Sequence, residues 1–313
     1  MRQHRPGTGS ALFLMILTGV TLGATPATGG TRGGMACFTS AQQIQRACLA
    51  RAGDDYWTAL ATCANLPAAE ARSCGEVARD TLREANADCA DQYDARVELC
   101  QALGGGAYQP VIDPHGFVAG VNNPLFPLAP GTTWVYEAHG SEGFERDVVT
   151  VTHETKTILD VDCVVVSDRL TLDGVLKEET FDWYAQDVAG NVWYFGEDSR
   201  SYEDGDLVSI EGSWKAGRDG ALPGIVMEAH PKTGDLYRQE FLAGTAEDFA
   251  KVVSLDRAVA VPAGTFNHCV ATHDSSPFDG DEFESKFYAA DVGTVLEIEA
   301  DGTRVELVSF TKP

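Results

Sequence analysis

Asp182, Glu240, Glu284 and Tyr184 are the side chains whose types could move protons. Two such carboxyls within about 5–10 Å could act as acid and base in a hydrolase or lyase, with the Tyr184 phenol beside them. Asp182 and Tyr184 lie in Phe181-Asp-Trp-Tyr-Ala-Gln, whose alternation reads as a strand. At a period of two, Phe181 and Trp183 share one face, while Asp182, Tyr184 and Gln186 share the other. The return strand Val192-Trp-Tyr-Phe adds Trp193 and Tyr194. The 181–198 hairpin thus offers aromatic surface with a carboxylate, an amide and a phenol, a composition suited to sugars, lipid headgroups or other amphipathic ligands. Trp214, from a Gly-rich stretch at 199–229, and Arg238, beside Glu240, complete the candidate binding set Asp182, Trp183, Tyr184, Gln186, Trp193, Trp214 and Arg238. In the competing reading, these aromatics only pack two sheets together.

Other chemistries lack their residues. There is no Gly-x-Ser-x-Gly elbow and no phosphate-binding Gly loop, and His153-Glu154 has no second His at metalloprotease spacing. His268 and His273, five apart on an expected strand, would point to opposite faces about 16 Å apart. The acidic runs Glu203-Asp-Gly-Asp and Asp279-Gly-Asp-Glu-Phe-Glu fall short of a calcium loop and read as solvated turns. No cofactor or metal is expected. A net charge of −24 argues against nucleic acid and anionic membrane surfaces as partners. It sets no oligomeric state.

Residues 1–24 read as a signal peptide: Arg2 and Arg5, an apolar run from Ala11, then Leu22-Gly-Ala. That apolar run is too short to span a bilayer, and no later stretch reaches the ~18 residues needed. Cys37 lies too far downstream for a lipid anchor, so the expected location is secreted, periplasmic or cell envelope. Residues 25–36 read as a flexible leader.

Six cysteines stand at 37, 48, 63, 74, 89 and 100, with gaps of 11, 15, 11, 15 and 11. Both spacings keep to one face of an α-helix. The pairs Cys37 with Cys100, Cys48 with Cys89 and Cys63 with Cys74 share one sum, 137, the register of an antiparallel helical hairpin turning near Leu66-Pro67. Each pair is an expected disulfide. Three shorter units are the alternative, because the cysteines also repeat every 26 residues and Gly53 and Gly75 weaken the helices locally. The hairpin is expected over 37–104, followed by a Pro-rich connector over 105–123.

From 124 to 313 the chain alternates Val, Thr, Tyr, Trp and Phe runs with Gly and Asp turns, the pattern of an antiparallel sheet. Cys163-Val-Val-Val-Ser-Asp echoes Cys269-Val-Ala-Thr-His-Asp, and Tyr184-Ala-Gln-Asp-Val echoes Tyr288-Ala-Ala-Asp-Val. Similar offsets of 106 and 104 indicate a duplication, with halves near 124–213 and 230–313. The fold class is α+β: a disulfide-stapled helical hairpin, then a duplicated antiparallel β-domain, clam-like or an incomplete barrel. Cys163 and Cys269 fall on equivalent strands, and export favours pairing, so a fourth bridge is expected between them.

The motifs Phe126-Pro-Leu-Ala-Pro-Gly-Thr-Thr-Trp-Val-Tyr-Glu, Asp182-Trp-Tyr-Ala-Gln-Asp and Asn191-Val-Trp-Tyr-Phe-Gly-Glu-Asp resemble a family of exported bacterial proteins with no assigned activity. The resemblance covers about 122–313. Val261-Pro-Ala-Gly-Thr-Phe is similar to a strand-turn of envelope proteins with curved, clam-like sheets. The leading expectation is a non-enzymatic binding protein holding a small amphipathic ligand or glycan between the β halves. A carboxylate hydrolase or lyase is the alternative, and a partner-binding hairpin, hinted at by Tyr56, Trp57 and Leu60, is a third reading.

Overall fold

The computed structural model describes residues 32–280 and 282–313, so the expected signal peptide and most of the leader lie outside the described residues. Helices α1 (Ala36–Cys63) and α2 (Ala68–Ala102) form the antiparallel hairpin that the cysteine register requires. Cys37 is bridged to Cys100, Cys48 to Cys89 and Cys63 to Cys74, with Cα atoms 5.6, 5.8 and 5.6 Å apart, as disulfide geometry demands. Gly53 and Gly75 interrupt neither helix, which rules out the three-unit alternative. Few apolar side chains are covered here, Ala52, Ala78 and Leu99 among them. The bridges supply what so small a core cannot, roughly 2–4 kcal/mol each. Beyond α2, Gly105 adopts a φ of +74°, and a Cβ there would meet the Gly34 carbonyl at 2.6 Å. Only glycine allows this close return, which lets the Cys37 N–H donate to the Gly105 carbonyl at 3.2 Å.

Among the described residues beyond the hairpin, the regular structure is strands apart from short 3-10 turns at Pro114–Gly116 and Pro277–Asp279. The first half contains β1 (Phe117–Val118), β2 (Thr133–Gly140), β3 (Gly143–Ile158), β4 (Val161–Leu172), β5 (Val175–Asp187) and β6 (Val192–Glu203). The stretch 199–229 carries β7 (Asp206–Ser209), β8 (Trp214–Lys215) and β9 (Leu222–Met227). Then come β10 (Leu236–Arg238), β11 (Glu240–Phe241), β12 (Phe249–Val261), β13 (Gly264–Ser275), β14 (Glu284–Ala289), β15 (Gly293–Ile298) and β16 (Arg304–Thr311).

These strands make one antiparallel sheet in the order β10-β12-β13-β14-β15-β16-β2-β3-β4-β5-β6-β9-β11. Two six-stranded meanders follow one another along it, β10 to β16 and β2 to β9. The stretch 199–229 thus contributes β9, the last strand of its meander. The path ends at β10 on one side and β11 on the other, yet these strands are joined in the chain by the single residue Gln239. The sheet thus curls until its edges nearly meet, a barrel-like closure. Gly224 of β9 marks the seam: a Cβ there would lie 2.3 Å from the Gln239 carbonyl carbon and 2.5 Å from the Arg238 oxygen. Across the other boundary, the Trp134 indole N–H donates to the Val292 carbonyl at 2.7 Å, and the Tyr136 hydroxyl to Thr294 at 2.9 Å.

The duplication is visible in the register. Val164 faces Tyr184 and Val166 faces Asp182, while Val270 faces Tyr288 and Thr272 faces Lys286. Cys163 and Cys269 therefore do occupy equivalent positions, but the expected bridge between them is absent and both are free buried thiols. Equivalence is what keeps them apart. From β13 to β4 is six strand steps, about 29 Å along the sheet, whereas a bridge needs Cα atoms within about 7 Å. Burial pushes the Cys163 thiol up to about 12 and the Cys269 thiol above its usual range. Among the described residues, no helix is long and apolar enough to cross a membrane.

Candidate functional site

The seam carries the site. Strands β6, β11, β13 and β14, together with the loops at 244–248, 276–279 and 282–283, enclose a cleft of about 390 Å³. Its lining includes Glu197, Glu211, Glu240, Asp248, Asp274, Asp279, Glu282 and Glu284, against the cations Lys286 and Arg51, the latter from α1. The sheet delivers this arrangement through its alternation. Glu240 follows Gln239 at the closure, and Glu197 follows the bend at Gly196, where φ is +128° and β8 passes close by.

Glu197 and Glu240 are 7% and 4% exposed, and the Oε2 atom of each has no hydrogen-bond partner. The Trp214 indole N–H lies near Glu240 without completing a hydrogen bond to it. Burial, reinforced by the negative charge of Asp182, pushes Glu197 up to about 8. Burial, with Asp248 and Glu197 adding to it, holds Glu240 well above the usual carboxylate range. Asp248 rises to about 6, again through burial. Glu197 therefore retains its proton near neutral pH, and burial shifts Glu240 in the same direction.

One layer below, the Tyr194 hydroxyl donates to Asp182 Oδ1 at 2.6 Å, with Glu197 close to the same hydroxyl. Burial, with Asp168 nearby, pushes Asp182 up to about 6. On the opposite wall, Lys286 Nζ lies 3.5 Å from Asp274, 3.5 Å from Glu284 and 3.9 Å from Glu297. Burial alone would lower its pKa, but these three carboxylates outweigh that and hold the ammonium well above its usual value. Gln239 Nε2 donates to Asp274 at 3.0 Å, tying the closure residue to this wall.

The candidate residues named from sequence separate into groups. Glu240 and Glu284 line the cleft, and Asp182 lies beneath it. Tyr184 stacks on Tyr194 with centroids 4.9 Å apart, and Trp214 meets Tyr194 edge-on at 5.3 Å. Trp183 is buried with Lys156 Nζ 3.6 Å over its ring. Gln186 Oε1 accepts from the Asn122 and Asn123 backbone N–H groups, both at 2.8 Å, and so clamps the connector. Trp193 and Arg238 line a separate cavity under the hairpin. No cysteine lines the cleft. Cys37 and Cys100 border the cavity under the hairpin, while Cys48 with Cys89 and Cys63 with Cys74 staple α1 to α2. Sequence reasoning missed Glu197, Asp248 and Lys286. A carboxylate directly after Trp-Tyr-Phe-Gly was the available signal for Glu197.

The chain matches no family model, no curated protein and no solved structure.

Proposed function

We propose that this is a secreted or envelope binding protein whose acidic cleft holds a small organic cation, an amine or guanidinium compound, between the two β halves. The observation that carries this reading is the pair of buried, unpartnered carboxyl oxygens on Glu197 and Glu240, set among further carboxylates. A buried acceptor without a donor is costly, and a ligand's N–H groups would satisfy both. Among the described residues no three carboxylates converge to hold a metal ion, and charges spread over a cleft suit an extended polyamine. Binding a cation would favour the ionised forms of Glu197 and Glu240, so complex formation would release protons. The test is calorimetric titration with spermidine at pH 7 in two buffers of different ionisation heat. Saturable binding with buffer-dependent heat is expected, weakened at least about tenfold by Glu240→Gln. No saturable binding, or binding unchanged in the variant, would overturn the reading, and saturation by maltose instead would point to a glycan.

A second reading, an extracytoplasmic hydrolase or lyase, draws on a specific observation: Glu240, its pKa raised by burial, shares the cleft with Glu284. Turnover lost on Glu240→Gln, with spermidine inert, would favour it.

A further inference from the structure

The hairpin covers a second cavity, of about 560 Å³, where it lies over the outside of the seam. Its size falls within the ~300–1,000 Å³ of small-molecule sites. Ile44, Leu103, Trp193, Ile225, Leu236 and Phe241 give it largely apolar walls. Three charged side chains meet there. Arg96 Nε donates to both oxygens of Glu247 at 3.1 Å, Nη2 donates to Oε1 at 3.0 Å, and the Gly244 N–H also donates to Glu247. That pair is satisfied and neutral. Arg238 is the excess charge. It is 6% exposed and lies 4.7 Å from the Phe241 ring centre and 5.8 Å from that of Tyr108; its Nη2 reaches only the Cys37 sulfur, at 3.8 Å. Among the described residues its Nη1 is buried without a hydrogen-bond partner. A guanidinium shut away from water with an open donor calls for an anion, because an uncompensated buried charge costs several kcal/mol.

We infer that this cavity binds a single-chain carboxylate amphiphile, its headgroup on Arg238 and its tail along the apolar walls under the hairpin. Two guanidinium groups and one carboxylate leave one positive charge, which a monoanion balances and a phosphate dianion exceeds. A planar carboxylate also suits a guanidinium edge. The cavity is independent of the acidic cleft, which faces a different ligand charge.

The test is calorimetric titration of the full, oxidised chain with decanoate, decanol and decyl phosphate below their aggregation concentrations. One equivalent of decanoate is expected to bind, at least about tenfold tighter than decanol and tighter than decyl phosphate. Arg238→Met should remove that preference for decanoate and, with no ligand, leave the melting temperature unchanged or higher, since it deletes a buried unpaired charge. Ile44→Trp should fill the cavity and abolish binding. Decanol equal to decanoate, decyl phosphate the tightest, or no saturable decanoate binding would each overturn the assignment. So would decanoate binding unchanged in Arg238→Met or Ile44→Trp. If the Met variant fails to fold, the headgroup comparison on the unaltered chain and the Ile44 variant still decide.

Discussion

In the first β half, strands β5 and β6 set Asp182 opposite Glu197; in the second, β14 and β15 set Lys286 opposite Glu297. Val166 and Thr272 occupy the same place beside each pair, and Tyr184 and Tyr288 follow two residues on. The backbone frame is shared, and the charge plan is not. Lys286 gives its wall a paired cation, within ion-pair distance of Asp274, Glu284 and Glu297. The first half has an acid where that lysine would be, so Asp182 and Glu197 are held by the Tyr194 hydroxyl and by protonation. A duplicated scaffold thus supplies positions, while single substitutions decide which half carries a paired cation and which carries buried carboxyls with raised pKa.

Removing the lysine should break the contrast most severely. Lys286→Met leaves three carboxylates around one uncompensated position and should cost about 3–5 kcal/mol in urea unfolding at pH 7. A pH series sharpens the contrast next. Folding raises Glu197 from 4.5 to about 8, so the native carboxyl keeps its proton where the unfolded chain has lost it. That stability is full below about pH 4.5 and declines as pH rises to about 8. Thermal melts should show a loss on the order of a few kcal/mol across this window, flattened by Glu197→Gln and left in place by Glu297→Gln. Tyr194→Phe deprives Asp182 of its donor and should cost about 1–3 kcal/mol, read by denaturant midpoint. The smallest effect concerns the equivalent thiols. Cys163→Ala and Cys269→Ala should each cost about 1–2 kcal/mol, and two thiols should react with a maleimide only after unfolding, by mass spectrometry.

The hairpin was legible because a disulfide ladder writes its register into residue numbers: equal sums are the natural register of antiparallel rungs. The duplication was legible for a similar reason, since Cys163/Cys269 and Tyr184/Tyr288 mark equivalent strands. The inference from equivalence to pairing failed, because a repeat places equivalent residues one whole meander apart. The aromatic hairpin was found and its strand alternation read, but a period of two separates faces without saying what covers them. In a sheet that curls on itself the inner face is core, so Tyr194 and Trp214 pack against each other. The cleft was legible only in part. Glu240 and Glu284 were named, but their meeting with Glu197 and Asp248 depends on a closure between strands far apart in the path.

That closure has a topological consequence. Because β10 and β11 sit at opposite ends of the path and are separated by one residue, the ring is clasped by the polypeptide backbone itself at Gln239. A circular permutant with its new termini at that residue would keep every strand and lose only the covalent clasp, leaving the two edges held by the packing at Gly224 and by the hairpin laid over the seam. Comparing its melting temperature with that of the natural order would read how much of the closure is covalent and how much is packing.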